Sequence, residues 1–277
     1  MAFLEILKSV IIGIIQGITE WLPISSTGHM ILADEFLKLN VSKDFKDIFL
    51  VIIQFGSILA VLILYFKKLN PFRSENGVKS KEVFSLWAKI FAASIPAGVI
   101  GLLFDKLINN WFHNSVTVAA TLIFYGIAFI FIENRKKRPR ITSFGKLDYK
   151  TAFLIGVFQV LALIPGTSRS GATILGAVML GMSRFLAAEF SFFLAIPVMC
   201  GASALKILKY YLKYGLNFTL NEWAVLFSGI IVAFIVSLFA IKFLMNYVKN
   251  HSFKLFGCYR ILLGVVILAY FLIKVLL

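Results

Sequence analysis

IGIIQGITEWLPISSTGHMIL, residues 12–32, and IGVFQVLALIPGTSRSGATIL, residues 155–175, repeat each other without a gap at a constant offset of 143 residues. Ile12, Gly13, Gln16, Ser25, Gly28, Ile31 and Leu32 of the first stretch are matched by Ile155, Gly156, Gln159, Ser168, Gly171, Ile174 and Leu175 of the second. Each copy runs as an apolar segment, a proline, a short Ser/Thr/Gly run and a second apolar segment too short to cross a bilayer. This is the pattern of a broken membrane helix. Glu20, Ser26 and His29 belong only to the first copy, and Arg169 only to the second, at the position equivalent to Ser26. The copies read as complementary halves of one polar site.

Around them, a chain of 277 residues with 60% hydrophobic and 15% charged content, and with several long apolar runs, reads as an all-α integral membrane protein. Its 28 Lys and Arg outnumber its 13 Asp and Glu. The basic residues gather between the apolar runs, which is the membrane-orientation signal, so nucleic acid is not an expected partner. Cys200 and Cys258 lie inside apolar segments and read as packing residues, with no disulfide framework. Glu5 and Lys8 precede the first apolar stretch without a small-residue cleavage site, so the N-terminus reads as retained.

Six runs are long enough to span: Ile48 to Phe66, Val83 to Phe104, Val116 to Ile132, Leu186 to Leu205, Trp223 to Phe243 and Phe256 to Leu277. The connection Lys67–Glu82 carries Lys67, Lys68, Arg73, Lys79 and Lys81. Asn134–Lys150 carries Arg135, Lys136, Lys137, Arg138, Arg140, Lys146 and Lys150. Both are expected in the cytoplasm, as is Asn246–Lys254, with Asp105–Ser115 and Lys206–Glu222 outside. Lys206, Lys209 and Lys213 weaken this asymmetry without reversing it. The two repeat segments then become re-entrant hairpins entering from opposite faces, at about residues 1–40 and 151–182. Each half, about 1–140 and 141–277, is one hairpin followed by three spans, and an odd number of spans inverts the second half. The expected fold is thus a single membrane domain, residues 1–277, of six transmembrane helices plus two re-entrant helical hairpins in an inverted-topology repeat.

Each outbound arm starts at the Pro/Ser/Gly turn, so two helix N-termini, with free N–H groups and positive dipole ends, point toward the middle of the bilayer. One such terminus offers about 0.3 to 1 kcal/mol when exposed and about 2 when partly buried. Two termini plus an arginine suit a highly charged anion. Arg169 can grip phosphate oxygens through two parallel N–H bonds, the alternatives being a snorkelling side chain or a structural pair with Glu20. Ser26 and His29, three apart across a helix start, have the spacing of a hydroxyl nucleophile and its base. Ser25, Ser26 and Thr27 are equally suited to cap the outbound helix, and spacing does not choose between Ser25 and Ser26. Gln16 and Glu20 share one face of the inbound arm. Glu20 can orient His29, bind a hard divalent cation with help from substrate oxygens, or neutralise Arg169. Thr167, Ser168, Ser170 and Thr173 surround Arg169 as oxygen-contacting hydroxyls or caps. Asp34 and Glu35 read as solvated, Glu189 as a structural ion-pair partner of the nearby Arg184, and Pro96 and Pro197 as kinks.

The runs Gln16–His29 and Pro165–Thr173 resemble the two signature motifs of the bacterial undecaprenyl-pyrophosphate phosphatases of the bacitracin-resistance type. The likeness extends to Ala187-Ala188-Glu189-Phe190-Ser191-Phe192 and, in length and hydropathy, to the whole chain. The resemblance implies hydrolysis of a C55 isoprenoid diphosphate to the monophosphate carrier of cell-wall synthesis, in the bacterial cell membrane, at a site open to the outer face. It also implies dependence on a divalent cation, Mg2+ or Ca2+. By motif position it makes Ser26 the nucleophile, His29 its acid/base partner, Glu20 a catalytic or metal-linked carboxylate and Arg169 the phosphate clamp. Gln16, Ser25, Thr27, Ser168, Ser170 and Thr173 would contact substrate. Where the family's acidic motif often begins with glutamate this chain has Gln16, which leaves Glu20 as the main acidic group. Expected partners are the polyprenyl diphosphate, membrane lipid and a second copy of the chain as a homodimer. The rival function is a lipid flippase or secondary transporter built on the same repeat.

Overall fold

The computed structural model describes residues 2–72, 80–112, 114–135, 138–215 and 217–276. Every regular element among them is helical, apart from one isolated parallel bridge between Ile141 and Met182. In chain order they are α1 (Ala2–Thr19), α2 (Ser26–Leu37), α3 (Lys43–Leu64), the single turn α4 (Phe66–Leu69), α5 (Ser80–Phe112), α6 (Ser115–Asn134), α7 (Tyr149–Val160), α8 (Arg169–Met179), α9 (Arg184–Tyr214), α10 (Leu220–Asn250) and α11 (Lys254–Leu276). Six of them, α3, α5, α6, α9, α10 and α11, are long and apolar enough to cross a membrane, and they coincide with the six expected runs. Their outward faces carry Leu102, Phe124, Phe239 and Leu272, each more than half exposed. Apolar side chains on that scale face lipid, and the chain is an all-α integral membrane protein. Arg73, Lys79, Lys136 and Lys137 of the basic connections lie outside the described residues.

Two helices outrun their expected ends. α5 continues to Phe112, and α9 continues to Tyr214, where Gly215 takes φ 70° and stops it. Lys206, Lys209 and Lys213 therefore stand on α9 and not in a loop. The charges end the apolar run, yet lysine, leucine and tyrosine leave nothing to end the helix before the glycine.

The repeat exists in three dimensions. α1 and α2 are broken at residues 20–25, and α7 and α8 at 161–168. α2, α7 and α8 are each about 16 to 18 Å long, well short of the ~30 Å of a hydrocarbon core. The N-caps of both outbound helices, Ser25 and Ser168, hold φ at 73° and 69°, a region non-glycine residues rarely enter. Each accepts from the amide three residues on, Gly28 or Gly171. At the second entry Asp148 caps α7, and hydrogen bonding from Thr151 holds its carboxyl below the ordinary aspartate range.

Packing obeys the same exchange of halves. α1 lies on α10 as α7 lies on α5, α3 on α10 as α5 on α9, while α3 meets α9 and α6 meets α11. The first contact pair depends on glycine: a Cβ at Gly13 would stand 2.8 Å from the Gly229 carbonyl oxygen, and one at Gly156 2.1 Å from that of Ala93. The tips of the two broken helices meet at the main apolar core, where Trp21, Leu22, Ile24 and Ile174 are buried with Phe190, Phe192 and Phe193 of α9. Trp21 packs edge-on to Phe192, with ring centroids 5.3 Å apart.

One expected ion pair is replaced by two others. Glu189 receives Lys68 Nζ at 2.8 Å on both oxygens, and Arg184 forks onto Glu133 through Nε at 2.9 Å and Nη2. Residues five apart on a helix point in different directions, so Arg184 and Glu189 reach different neighbours.

Candidate active site

α1 ends at Thr19, yet the Glu20 amide still donates to the Gln16 carbonyl at 3.0 Å. One further helical turn therefore keeps the Gln16 and Glu20 side chains together, with Gln16 Nε2 donating to Glu20 Oε2 at 3.1 Å. The chain then breaks, and Ser26 becomes the first residue of α2. Its hydroxyl donates to the same Oε2 at 3.3 Å. Arg169 is the first residue of α8, the equivalent place in the second half, and its Nη2 donates to Glu20 Oε1 at 3.3 Å. Ser26 and Arg169, equivalent in the two repeats, thus converge on opposite oxygens of one carboxylate. Arg169 is further fixed by Nη1 donating to the Ser191 carbonyl at 2.8 Å and by the Trp21 ring, 5.6 Å from Cζ. Its buried Nε has no partner among the described residues.

The hydroxyls around this carboxylate divide by task. Ser25 is fully buried and caps α2, which leaves the Ser26 hydroxyl for Glu20. Ser168 caps α8 at Gly171 N, 3.1 Å. Ser170 donates to the Leu22 carbonyl at 3.2 Å and joins the two turns. Thr173 donates to the Arg169 carbonyl at 2.9 Å and shares a 2.7 Å bond with the Ser191 hydroxyl. Ser170 and Thr173 are almost wholly buried and brace the turns. Thr27 lines the cavity described below.

His29 departs from its expected contact. Its Nδ1 stands 2.8 Å from the Ser25 carbonyl, one turn back along the helix, and its Nε2 2.7 Å from the Tyr259 hydroxyl, with the rings stacked at 5.6 Å. A carbonyl partner assigns the proton to Nδ1, so Nε2 accepts from Tyr259. The carbonyl four residues back is the ring's natural acceptor on a first helical turn. No hydrogen bond joins His29 to Ser26 among the described residues.

Two residues of this centre escape the sequence reading. Arg260 of α11 is completely buried and reaches both turns, donating through Nη1 to the Pro23 carbonyl at 3.3 Å and through Nη2 to the carbonyls of Gly166 and Thr167 at 3.0 and 2.8 Å. A turn that abandons helical geometry leaves such carbonyls without partners, and Arg260 satisfies three of them. Its signal was present as an arginine within the apolar run from Phe256, costly enough in a membrane to demand a purpose. Tyr259, its neighbour, is recognisable only once α11 is placed beside α2.

A cavity of about 720 Å3 leads to Ser26 and is lined by Gln16, Thr27, Met30, Asp34 and Tyr210, with Lys206, Lys209 and Lys213 at the end of α9. The lysines that blur the orientation signal thus face the approach to the serine. As a metal centre the site is sparse: among the described residues no group of three or more His, Cys, Asp or Glu converges. Glu20 and the amide oxygen of Gln16 are the protein donors, a set that fits a hard cation only where phosphate oxygens complete its shell.

The Bacitracin resistance protein BacA family model matches residues 9–266. The chain is similar to "Undecaprenyl-diphosphatase 1" of Clostridioides difficile (strain 630), 61% identical with 98% of this chain and 97% of the relative covered. It is likewise similar to "Undecaprenyl-diphosphatase" of Desulfitobacterium hafniense, 59% identical with 98% of each covered, and of Enterococcus faecalis (strain ATCC 700802 / V583), 57% identical with 98% and 99% covered. With the family model spanning nearly the whole chain and such relatives alongside it, this multi-pass membrane protein belongs to the bacitracin resistance protein BacA family.

Proposed function

We propose that the chain is an undecaprenyl-diphosphatase, a membrane hydrolase that converts a C55 isoprenyl diphosphate to the monophosphate and inorganic phosphate. The observation that carries the reading is the meeting of Ser26 and Arg169, each the first residue of its outbound helix, on the two oxygens of Glu20. α2 and α8 form re-entrant hairpins with their inbound arms, and the terminal phosphate sits between the two N-termini. There Arg169 exchanges part of its hold on Glu20 for phosphate oxygens, adding the unpaired Nε–H.

Ser26 Oγ attacks the terminal phosphorus as Glu20 Oε2, already its acceptor, takes the proton. The P–Oγ bond forms and the bond to the bridging oxygen breaks, so that the bridging oxygen leaves with the lipid monophosphate. Water then cleaves the phosphoserine, and Glu20 returns the proton to Oγ. Positioning and charge stabilisation dominate, as in phosphoryl transfer generally. Glu20 is the base nearest the serine. His29, held by Ser25 and Tyr259, sets the first turn of α2 and joins the proton traffic only after releasing Tyr259 Oη. A bound divalent cation, Mg2+ or Ca2+, held by Glu20, Gln16 and the substrate's own oxygens, would neutralise charge on the diphosphate.

The site is read as open to the outer face; the cavity's position at the end of α9, away from the basic connections, supports that reading. A flippase or transporter has no need of a serine donating to a carboxylate opposite an arginine. The deciding experiment is phosphate release from a polyprenyl diphosphate by purified protein in detergent, where transport has no meaning. Release that depends on Ser26, lost in Ser26→Ala, supports the reading. Absence of release with Mg2+ or Ca2+ present sinks it.

A further inference from the structure

We propose that a second cavity, at the opposite end of α9, binds the phosphate of an anionic phospholipid headgroup. It measures about 560 Å3 and lies among the end of α6, the strap at residues 138–140, the turn from α8 into α9 and the end of α10. Arg135, Arg138, Arg140, Arg184 and Lys249 line it, against the single acid Glu133. Glu133 is already committed: it is buried, holds the Arg184 fork and accepts the Phe253 amide at 3.2 Å. Arg138, Arg140 and Lys249 make no side-chain hydrogen bond or ion pair among the described residues.

The cations ring a built cavity. The strap is pinned by the amides of Arg140 and Ile141, both donating to the Gly181 carbonyl at 2.9 Å, and by the Ser183 amide donating to the Ile141 carbonyl at 3.0 Å. Gly181, at φ 99°, gives the turn a shape that other residues resist, and the Arg140 side chain lies across it. An orientation signal needs only positive charge near the membrane. It needs neither a pinned strap nor a cavity.

The other wall is apolar. Val178, Leu180, the half-exposed Met179 and the partly exposed Phe185 line the same space. A phosphate beside an apolar chain is the chemistry of a phospholipid, and a basic pocket between membrane helices on the cytoplasmic side is where such headgroups lodge. A free anion would use the cations and leave the apolar wall idle. The cavity also adjoins the end of α8, whose first residue is Arg169, so an occupant steadies the helix that carries the arginine.

The test uses full-length protein freed of lipid in detergent, with thermal unfolding followed on adding phosphatidylglycerol, phosphatidylcholine of the same chains, or inorganic phosphate. Phosphatidylglycerol is expected to raise the unfolding temperature and phosphatidylcholine is not. Any rise from inorganic phosphate, which the site between Ser26 and Arg169 takes as product, is expected to survive when Arg138 and Arg140 are replaced. In the Arg138→Gln/Arg140→Gln double variant the affinity should fall roughly tenfold or more, with phosphate release in detergent retained. Equal protection by phosphatidylcholine overturns the charge requirement, protection by inorganic phosphate that the double variant abolishes overturns the lipid, and an unaltered phosphatidylglycerol response in the double variant overturns the location. Should that variant fail to fold, Lys249→Gln on the facing wall takes its place, and an unchanged affinity there counts against the site in the same way.

Discussion

At the scale of single residues, Glu20 is the hinge of the site and Arg260 its anchor. Sequence spacing left Glu20 three roles, and the structure gives it partners for the third, Arg169, together with the Ser26 hydroxyl. Replacing Arg169 by lysine keeps the charge but removes the fork that holds Ser191, Glu20 and a phosphate at once. With hydrogen bonds to charged groups worth about 1.5 to 3 kcal/mol each, turnover should drop at least roughly tenfold in a phosphate-release assay. Near-normal turnover would rule out the clamp. Arg260→Met should act differently. It leaves the carbonyls of Pro23, Gly166 and Thr167 buried without donors, at about 1 to 3 kcal/mol each, so both the melting temperature and turnover should fall. Arg260→Lys should recover part of the stability, and a methionine variant as stable as the parent would remove Arg260 from the framework. Arg260 and the His29–Tyr259 contact were not legible from local spacing, because each joins segments more than 200 positions apart.

At the scale of elements, the two breaks were legible, since a Ser/Thr/Gly run after proline leaves few other structures open, but the capping residue was not. The choice between adjacent serines was not legible, because it depends on the positive φ that turns Ser25 inward and Ser26 toward Glu20. Ser25→Ala should cost about 1 kcal/mol of stability through the lost cap and leave measurable turnover, whereas Ser26→Ala should leave none. The reverse ranking would reassign the nucleophile. The reach of α9 also went unread, because its lysines interrupt the apolar pattern without interrupting the helix. Lys206, Lys209 and Lys213 stand along the cavity that leads to Ser26, which Asp34, Asp44, Lys46 and Asp47 line as well, and in the proposed reading the α9 lysines draw in a diphosphate. Replacing all three by glutamine should raise KM several-fold with kcat nearly unchanged and flatten the salt dependence of kcat/KM. A fall in kcat alone would place them in the chemistry instead.

At the scale of the whole molecule, duplication and divergence do separate jobs. The offset of 143 was visible in the sequence, and so was the correspondence of α3, α5 and α6 with α9, α10 and α11. What no periodicity reports is that the halves interlock: α1 packs on α10 and α7 on α5, so each broken helix is shielded by a span from the other half. The residues of the candidate site are divided in the same way, with Gln16, Glu20, Ser26 and His29 on one side and Arg169 and Arg260 on the other. A chain cut in the connection near residue 140 tests both kinds of dependence. Either piece alone, 1–140 or 141–277, leaves the exposed backbone of its broken helix without a shield and half of the site missing, so neither should release phosphate. Coexpressed, the pieces should copurify through the α1–α10 and α5–α7 contacts and regain turnover, and Arg169→Lys in the second piece should again lower it. Activity in the first piece by itself would mean that Arg169 and the shielding spans are dispensable, and the site would then have to be built from one repeat alone.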